Sequence, residues 1–225
     1  MKKIAVVLDQ DGTLTPNDTM FDFYEAFGKR ELGERVYEWS KNAPEKIEKE
    51  FGVPKSQVYE SIDVELVARE VLRENGTVKK RVFEEIAGRA EIFPGVKEFI
   101  ATLRSNDFPV FVASATYEPI ARAFAKRVGI PVENVGATKM TLDAEGNAVG
   151  FAGPAMESEA KADFVRRVSK KIGIPLSRFA GIGDSASDDP FLYAISGAGG
   201  LSIKLNAEPN FAAITKKVVE YAEEK

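Results

Sequence analysis

The sequence contains no cysteine and no histidine among its 225 residues. Without cysteine the chain can form no disulfide, and it offers neither a thiol nucleophile nor a thiolate ligand for a metal. Without histidine, the Ser-His and Cys-His routes to nucleophilic catalysis are excluded as well. Acid–base chemistry near neutral pH must therefore depend on carboxylates, lysines or tyrosines.

Excess positive charge and long apolar runs are also missing. Lys plus Arg is 31 and Asp plus Glu is 35, which gives a net charge of −4. Because nucleic-acid binding depends on clustered positive charge, this composition disfavours a nucleic-acid partner. The first apolar run, residues 4–8, ends at Asp9 and is too short for a signal peptide, and no stretch approaches the length of a membrane span. We expect a cytoplasmic protein without a membrane partner.

From residue 92 onward, short apolar runs alternate with helical patterns. Strands are predicted near 109–113, 135–142, 148–152, 179–182 and 199–203, with a hairpin turn at 143–147. Helices are predicted near 95–105, 117–128, 158–172 and 209–223, and the segment between 183 and 198 is interpreted as a loop. This alternation predicts an α/β fold, a doubly wound parallel sheet with helices on both faces.

Residues from about 19 to 91 have the pattern of helices almost throughout. Apolar residues recur at every fourth position from Val58 to Leu66 and again from Val78 to Ile86. We therefore predict a core domain made of residues 1–15 and 92–225, with an inserted all-helical cap domain, residues 16–91, that packs against itself. Its aromatic residues are expected to be core residues rather than a substrate cage: Phe21, Phe23, Tyr24 and Trp39.

Two carboxylates, Asp9 and Asp11, follow the first predicted strand directly, and Gly12 comes next. In an extended chain residues i and i+2 point to the same side, so both acids would face one spot at the carboxyl end of the strand. In an open α/β sheet that edge is where ligands bind. An EF-hand calcium loop is disfavoured, because that pattern needs glycine at position six and glutamate at twelve, whereas this stretch has glycine at four and Met20 at twelve.

Three further polar groups occur later in the chain. Ser114 follows the apolar run 110–113, Lys161 lies at the start of a predicted helix, and Asp184 and Asp188 lie in the segment GDSASDDP. In isolation, Ser114 would be an ordinary strand-end serine and Lys161 a surface lysine. The letters GIGDSA also match a dinucleotide-binding fingerprint, but Asp184 would repel a pyrophosphate there. Ser114, Lys161 and the late aspartates indicate a shared site only because they occur in the same chain as the acid pair Asp9 and Asp11.

In order and form, these groups resemble the four motifs of the haloacid dehalogenase (HAD) superfamily of phosphatases. DQDGT is similar to the first motif, DxDGT, and VFVAS is similar to the second, an apolar strand that ends in Ser or Thr. The lysine of SEAKADF resembles the third motif, and GDSASDDP resembles the fourth, GDxxxD. The helical insertion between the first two motifs resembles the phosphoserine-phosphatase-like branch. The resemblance implies a Rossmann-like core, a helical cap and phosphatase activity.

The resemblance also implies the chemistry of the first acids. Asp9 would be the nucleophile that forms an aspartyl-phosphate, and Asp11 the general acid for the leaving alcohol and the base for water. A carboxylate that attacks a phosphate dianion faces a repulsion of roughly 4 kcal/mol at about 4 Å and an effective dielectric near 20. Mg²⁺ is the expected cofactor, held by Asp9, by Asp184 and by the backbone carbonyl of Asp11.

The remaining site residues receive supporting roles by the same resemblance. Ser114, Ala115, Lys161 and the amides near Gly12 would hold the phosphoryl oxygens. Asp188 would lie behind these residues and orient Lys161 or a metal-bound water. No role is predicted for Asp189.

The substrate expected from these residues is a small phosphorylated metabolite. Asp11 favours phosphate monoesters, because an alcohol leaving group needs a proton. Asp18 stands where the resemblance places a substrate-contacting glutamate, and Asp22 follows one helical turn later. If both face the site, they favour a substrate that carries an amine. The arginine of the related cap segment has no clear counterpart, with Arg69 and Arg73 as candidates.

Two other functions would use the same residues. A phosphotransferase that passes the phosphoryl group to an alcohol keeps every one of them in place. A signalling receiver, which accepts phosphate on an aspartate without turnover, shares the acids, the Ser or Thr and the Lys. It needs neither a large helical cap nor Asp11, and receivers are much shorter chains. The sequence does not indicate whether the protein is a monomer or an oligomer.

Overall fold

A computed structural model describes residues 3–59, 61–206 and 208–225; residues 1, 2, 60 and 207 of the predicted segments lie outside it. The strands of the described chain are β1 (Ala5–Leu8), β2 (Val110–Tyr117), β3 (Val135–Thr138), β4 (Met140–Leu142), β5 (Ala148–Phe151), β6 (Phe179–Gly183) and β7 (Leu201–Lys204). Five of them form a parallel sheet in the order β3-β2-β1-β6-β7, and β4 and β5 form a separate antiparallel hairpin.

The helices of the described chain are α1 (Thr19–Ala26), α2 (Arg30–Asn42), α3 (Pro44–Phe51), α4 (Ile62–Asn75), α5 (Lys80–Arg89), α6 (Val96–Ser105), α7 (Glu118–Val128), α8 (Glu159–Ile172), α9 (Asp189–Gly197) and α10 (Phe211–Glu224). None of these helices is both long enough and apolar enough to span a bilayer.

The central strand β1 is buried on both faces, which explains its continuous apolar sequence. Val6 and Leu8 point into a hydrophobic cluster that contains residues of α6, α7 and α10. Ala5 and Val7 point into a second cluster with residues of α8 and α9. Helices therefore cover both faces of the sheet, and the predicted doubly wound α/β core is confirmed.

Two sequence-based boundaries are wrong. The segment predicted as a loop between 183 and 198 contains α9, which begins at Asp189 with Pro190 in its first turn and buries Phe191 and Ile195. Strand β2 does not end at Ala113 but continues to Tyr117, where it pairs with β3 after a shift in register. The strand continues beyond its predicted end because Tyr117 still pairs with Thr138 of β3.

The inserted segment is helical, as predicted, but it does not pack only against itself. Phe23 of α1, Val64 of α4 and Phe83 of α5 belong to the main core cluster, which is continuous with the sheet. α5 packs on α7, and Arg127 Nη1 of α7 donates to the Ala90 carbonyl over 2.5 Å. The inserted helices and the sheet therefore share one hydrophobic core on this side.

A smaller cluster lies within the insertion itself. Val36, Ile47 and Leu66 are buried together there, and Trp39 packs against them while it is partly buried. Of the remaining aromatic residues, Tyr24 is fully buried in the main core and Phe21 packs against that core.

Candidate active site

The carboxyl ends of β1, β2 and β6 meet at one edge of the sheet, where a cavity of about 310 Å³ opens. Parallel strands place their following loops on the same edge, so groups that are far apart in sequence converge there. The predicted site residues that line this cavity are Asp9, Asp11, Gly12, Asp18, Ser114, Ala115, Lys161 and Asp184. Asp188 is fully buried beside Lys161.

Lys161 lies in the first turn of α8, and its side chain is buried, with an exposed fraction of 1%. Its Nζ donates to Asp188 Oδ1 over 2.7 Å, to Asp9 Oδ1 over 3.1 Å and to Ser187 Oγ over 3.2 Å. The three donors of the ammonium group therefore have three acceptors. Burial alone would lower the pKa of Lys161, but the facing carboxylates of Asp9 and Asp188 raise it above its usual value.

Asp188 connects that lysine to the loop after β6. Its Oδ2 accepts hydrogen bonds from the backbone amides of Asp184 and Ser185, each over 3.0 Å. The Ser185 hydroxyl donates to the same oxygen over 3.1 Å. Both carboxylate oxygens of the buried Asp188 thus accept hydrogen bonds, and these bonds fix the position of Lys161 relative to Asp184.

The neighbouring acid, Asp189, points to a different partner. Lys204, the last residue of β7, lies 2.6 Å from Asp189 Oδ1 and also donates to the Ser185 carbonyl. Both side chains of this pair are about one third exposed. Asp189 therefore fastens the loop from outside the cavity, which is a role that sequence reasoning did not assign.

The loops after β1 and β6 are in direct contact. Asp184 Oδ1 accepts a hydrogen bond from Thr13 Oγ1 over 2.9 Å. Gly12 has a φ of +77°, and a Cβ atom there would lie 2.2 Å from Asp184 Oδ2. Only glycine fits this position, both for its backbone conformation and for the space available.

A cluster of carboxylates marks a candidate metal centre. One oxygen each from Asp9, Asp184 and Asp188 lies within 4.8 Å of the others, and the Asp11 carboxylate is not part of this group. Burial and the nearby Asp188 raise the pKa of Asp9, whereas Lys161 lowers it; burial also raises the pKa of Asp184. The cluster therefore carries more negative charge than Lys161 balances. Because both oxygens of Asp188 are engaged, Asp9 and Asp184 are better placed to hold a divalent cation.

Asp11 is held by hydroxyl and amide donors. Thr19 Oγ1 lies 2.9 Å from Asp11 Oδ2, Thr15 Oγ1 donates to Oδ1 over 3.1 Å, and Gln10 Nε2 donates to Oδ1 over 3.2 Å. Burial and the neighbouring Asp18 raise the pKa of Asp11 to about 7, although the hydrogen bonds from Thr19 and Gln10 oppose this shift. A carboxyl group with such a pKa can give and take a proton near neutral pH.

Ser114 lies within β2 rather than beyond its end, and it is almost completely buried. Its Oγ accepts a hydrogen bond from the Thr116 amide over 3.2 Å. Since the Ser114 hydroxyl donates to no acceptor among the described residues, its proton is available to a ligand in the cavity. Ala115 is the next residue of the strand and also lines the cavity.

The inserted helices form the opposite wall of the cavity. Asp18 caps α1, where it accepts from the Met20 amide over 2.9 Å, and burial raises the pKa of Asp18 to about 6. Tyr37 of α2 and Ser61 at the start of α4 complete this wall, and the Ser61 hydroxyl donates to Glu157 Oε2. Sequence reasoning missed Tyr37 and Ser61, because neither lies in a motif.

Three residues considered for the substrate do not reach the cavity. Asp22 does not line it. Arg69 forms an ion pair with Glu65, and Arg73 Nη2 lies 2.6 Å from Glu70 Oε1. Both arginines are more than 60% exposed, and neither lines the cavity.

The sequence was compared with the profiles of known protein families. The sequence profile of the haloacid dehalogenase-like hydrolases matches residues 6–192, most of the chain. The chain belongs to the haloacid dehalogenase-like hydrolase family. Among curated relatives of this chain, a phosphoserine phosphatase of Mycobacterium tuberculosis is 29% identical over 129 residues, which are 57% of this chain and 30% of that protein. Human phosphoserine phosphatase is 28% identical over 122 residues, which are 52% and 53% of the two chains.

Solved structures show the same fold. A phospho-aspartyl intermediate analogue of phosphoserine phosphatase superposes on this chain with a TM-score of 0.65 and 20% identity, over 97% of this chain and 91% of that one. A gene product of Archaeoglobus fulgidus superposes with a TM-score of 0.74 and 18% identity, over 99% and 84%. The matched region spans about a third of the first curated relatives and about half of the human protein.

Proposed function

We propose that this hydrolase is a Mg²⁺-dependent phosphatase that acts on small phosphate monoesters through an aspartyl-phosphate at Asp9. The observation that carries the proposal is the position of Lys161, whose ammonium group joins Asp9 to Asp188 at the cavity. The names of the phosphoserine phosphatase relatives support the same activity. We further propose that residues 16–91 are the cap domain over a core of residues 1–15 and 92–225.

The carboxylate cluster fits a magnesium ion. Asp9 and Asp184 supply hard oxygen ligands, and Asp184 Oδ2 accepts no hydrogen bond within the described part of the chain. The backbone carbonyl of Asp11 is the proposed third ligand from the protein. When bound, the ion would offset the repulsion between the nucleophile and the phosphoryl group.

The phosphoryl group is proposed to lie against Asp9, with Lys161 and the Ser114 hydroxyl as donors to its oxygens. Asp9 attacks phosphorus, the bond from phosphorus to the alcohol oxygen breaks, and Asp11 gives its proton to that oxygen. Asp11 then takes a proton from the water that attacks the aspartyl-phosphate. Asp9 is regenerated, and inorganic phosphate leaves.

The experiment is a phosphate-release screen of the purified chain across sugar, nucleotide, amino-acid and amine monoesters, with Mg²⁺ and with a chelator. We expect turnover that depends on Mg²⁺ and that falls by about a thousandfold or more in Asp9→Asn and in Asp11→Asn. Asp189→Asn, which alters a carboxylate outside the cavity, is the matched control. Activity retained in Asp9→Asn, or activity that a chelator does not reduce, would contradict the proposal.

The same screen separates the two alternatives. Stoichiometric labelling of the protein without release of phosphate would indicate a receiver. Transfer of the phosphoryl group to an added acceptor alcohol, at the expense of free phosphate, would indicate a phosphotransferase.

A further inference from the structure

The two ends of the cavity differ in origin and in charge. The sheet edge supplies the phosphate end, with Lys161 against Asp9. The inserted helices supply the other end, where Asp18 is the charged residue and Met20 is apolar. Among the described residues that line the cavity, Lys161 is the one cation, and it lies at the phosphate end against Asp9.

Further carboxylates stand behind the wall formed by the inserted helices. The Ser61 hydroxyl, which faces the cavity, donates to Glu157. Asp63 is fully buried in the first turn of α4, accepts from Tyr24 Oη over 2.8 Å and acts electrostatically on Asp18. A second acid group on the substrate would therefore meet the carboxylate of Asp18 and, behind Ser61, that of Glu157 at this end.

Tyr37 adds an aromatic ring to this wall. Lys41, which does not line the cavity, places its Nζ 3.9 Å from the centre of that ring and 2.5 Å from its hydroxyl. Since Lys41 already takes up this ring, the group of the wall that would bind a substrate ammonium is the carboxylate of Asp18.

On the basis of the proposed phosphatase function, we propose that the leaving group carries an ammonium group and no carboxylate. The preferred substrates are phosphate monoesters of small amino alcohols. Phosphorylated amino acids are poorer substrates, because Arg69 and Arg73 pair with glutamates away from the cavity and leave a substrate carboxylate without a guanidinium partner.

The test compares three esters that differ by one group. Phosphoethanolamine carries the amine, O-phosphoserine adds a carboxylate to it, and 2-hydroxyethyl phosphate replaces the amine with a hydroxyl. With the purified chain and Mg²⁺, we expect kcat/KM for phosphoethanolamine to exceed that of each other ester by at least about tenfold.

Two variants test which residues set this preference. Asp18→Asn keeps a residue that caps helices well, and it should lower the ratio of kcat/KM for the amine to that for the neutral ester by about tenfold. Met20→Lys adds a cation to the same wall and should raise the rate on O-phosphoserine relative to phosphoethanolamine. Circular dichroism and thermal unfolding establish that each variant is folded.

The outcomes separate this inference from the function on which it rests. If the neutral ester or O-phosphoserine is hydrolysed as well as phosphoethanolamine, the inference is overturned and the phosphatase function stands. If Mg²⁺-dependent turnover is seen with none of the three esters nor in the wider screen, both are overturned. The ranking in the wild-type chain decides the matter even if a variant fails to fold.

Discussion

Lys161 Nζ and Asp188 Oδ1 are joined by a 2.7 Å hydrogen bond that is completely shielded from solvent. A buried ion pair of this kind contributes little compared with well-packed apolar side chains, but the loss of one partner leaves an uncompensated charge in the interior. Both residues are tied to groups at the cavity, so changes in either should affect activity and stability together.

Replacement of Asp188 by asparagine should be severe despite the equal size. Asp188 accepts hydrogen bonds at both oxygens, whereas an amide can accept at only one, and its NH₂ group would face either Lys161 or the amides of Asp184 and Ser185. We expect Asp188→Asn to lower the free energy of unfolding by about 3 kcal/mol and kcat/KM by about a hundredfold. Urea titration and phosphate-release kinetics measure the two effects.

The adjacent carboxylate provides the control for this variant. The partly exposed pair of Asp189 and Lys204 should be worth no more than about 1 kcal/mol, so Asp189→Asn should remain nearly as stable and as active as the wild type. Equal effects at the two positions would show that Asp188 has no special role.

Removal of the Lys161 side chain should impair phosphate binding and turnover together. Lys161→Ala leaves Asp9 facing Asp188 without a cation between them, and it removes a donor from the phosphate end of the cavity. We expect kcat to fall by about a thousandfold and the inhibition constant of inorganic phosphate to rise. Lys204→Ala is the control, and a Lys161→Ala variant with unchanged phosphate inhibition would contradict the assignment.

Gly12 should tolerate no side chain. Gly12→Ala places a Cβ atom against Asp184 Oδ2 and requires a left-handed backbone, which costs alanine about 1–2 kcal/mol. Gly52 has a similar φ of +69° with nothing within 4 Å of its Cβ position, and it lies at the end of α3. Gly52→Ala should show only the backbone cost on thermal unfolding, whereas Gly12→Ala should lose more stability because of the additional clash. Only Gly12→Ala should need a higher Mg²⁺ concentration for half-maximal rate.

The buried carboxyl group of Asp63 should make stability depend on pH. Burial raises its pKa from 3.8 to about 7, so the native state binds this proton more tightly than the unfolded chain does. The stabilisation from this proton is fully present below about pH 4 and is lost as the pH rises through 7. Asp63→Asn should therefore reduce the difference in unfolding free energy between pH 5 and pH 8 by roughly 2 kcal/mol.

Chemical unfolding at the two pH values, in the wild type and in Asp63→Asn, measures this change in slope. If the asparagine lowers the unfolding free energy by the same amount at both pH values, that loss cancels in the comparison. An unaltered pH dependence in the variant would show that Asp63 is not the group responsible.

The core strands could be predicted because their apolar runs in the sequence match their burial in the fold. The run 4–8 is apolar throughout because β1 is buried on both faces, and a continuous run of that length indicates a buried strand. α9 escaped prediction because its first residues, Asp189 and Pro190, extend a stretch rich in turn-forming residues. Proline in the first turn of a helix was the signal that could have found it.

The sequence could predict the residues at the sheet edge but, apart from Asp18, not the wall that faces them. Asp9 and Asp184 follow strands and Ser114 lies in the carboxyl-terminal half of β2, so their convergence depends only on the order of a parallel sheet. Tyr37 and Ser61 reach the cavity because the inserted helices fold back over it, and this depends on long-range packing. Ser61 carried one local signal, its place just before a helix, but that signal indicates a helix start rather than a site.

The hydrogen bond from Ser61 to Glu157 joins the start of α4 to the loop that leads into α8. The Ser61 hydroxyl thus lines the cavity and at the same time links the inserted helices to the core through Glu157. A hydroxyl has one proton, so a ligand that accepts a hydrogen bond from Ser61 must break the bond to Glu157. Ligand binding would therefore weaken the link between the inserted helices and the loop before α8.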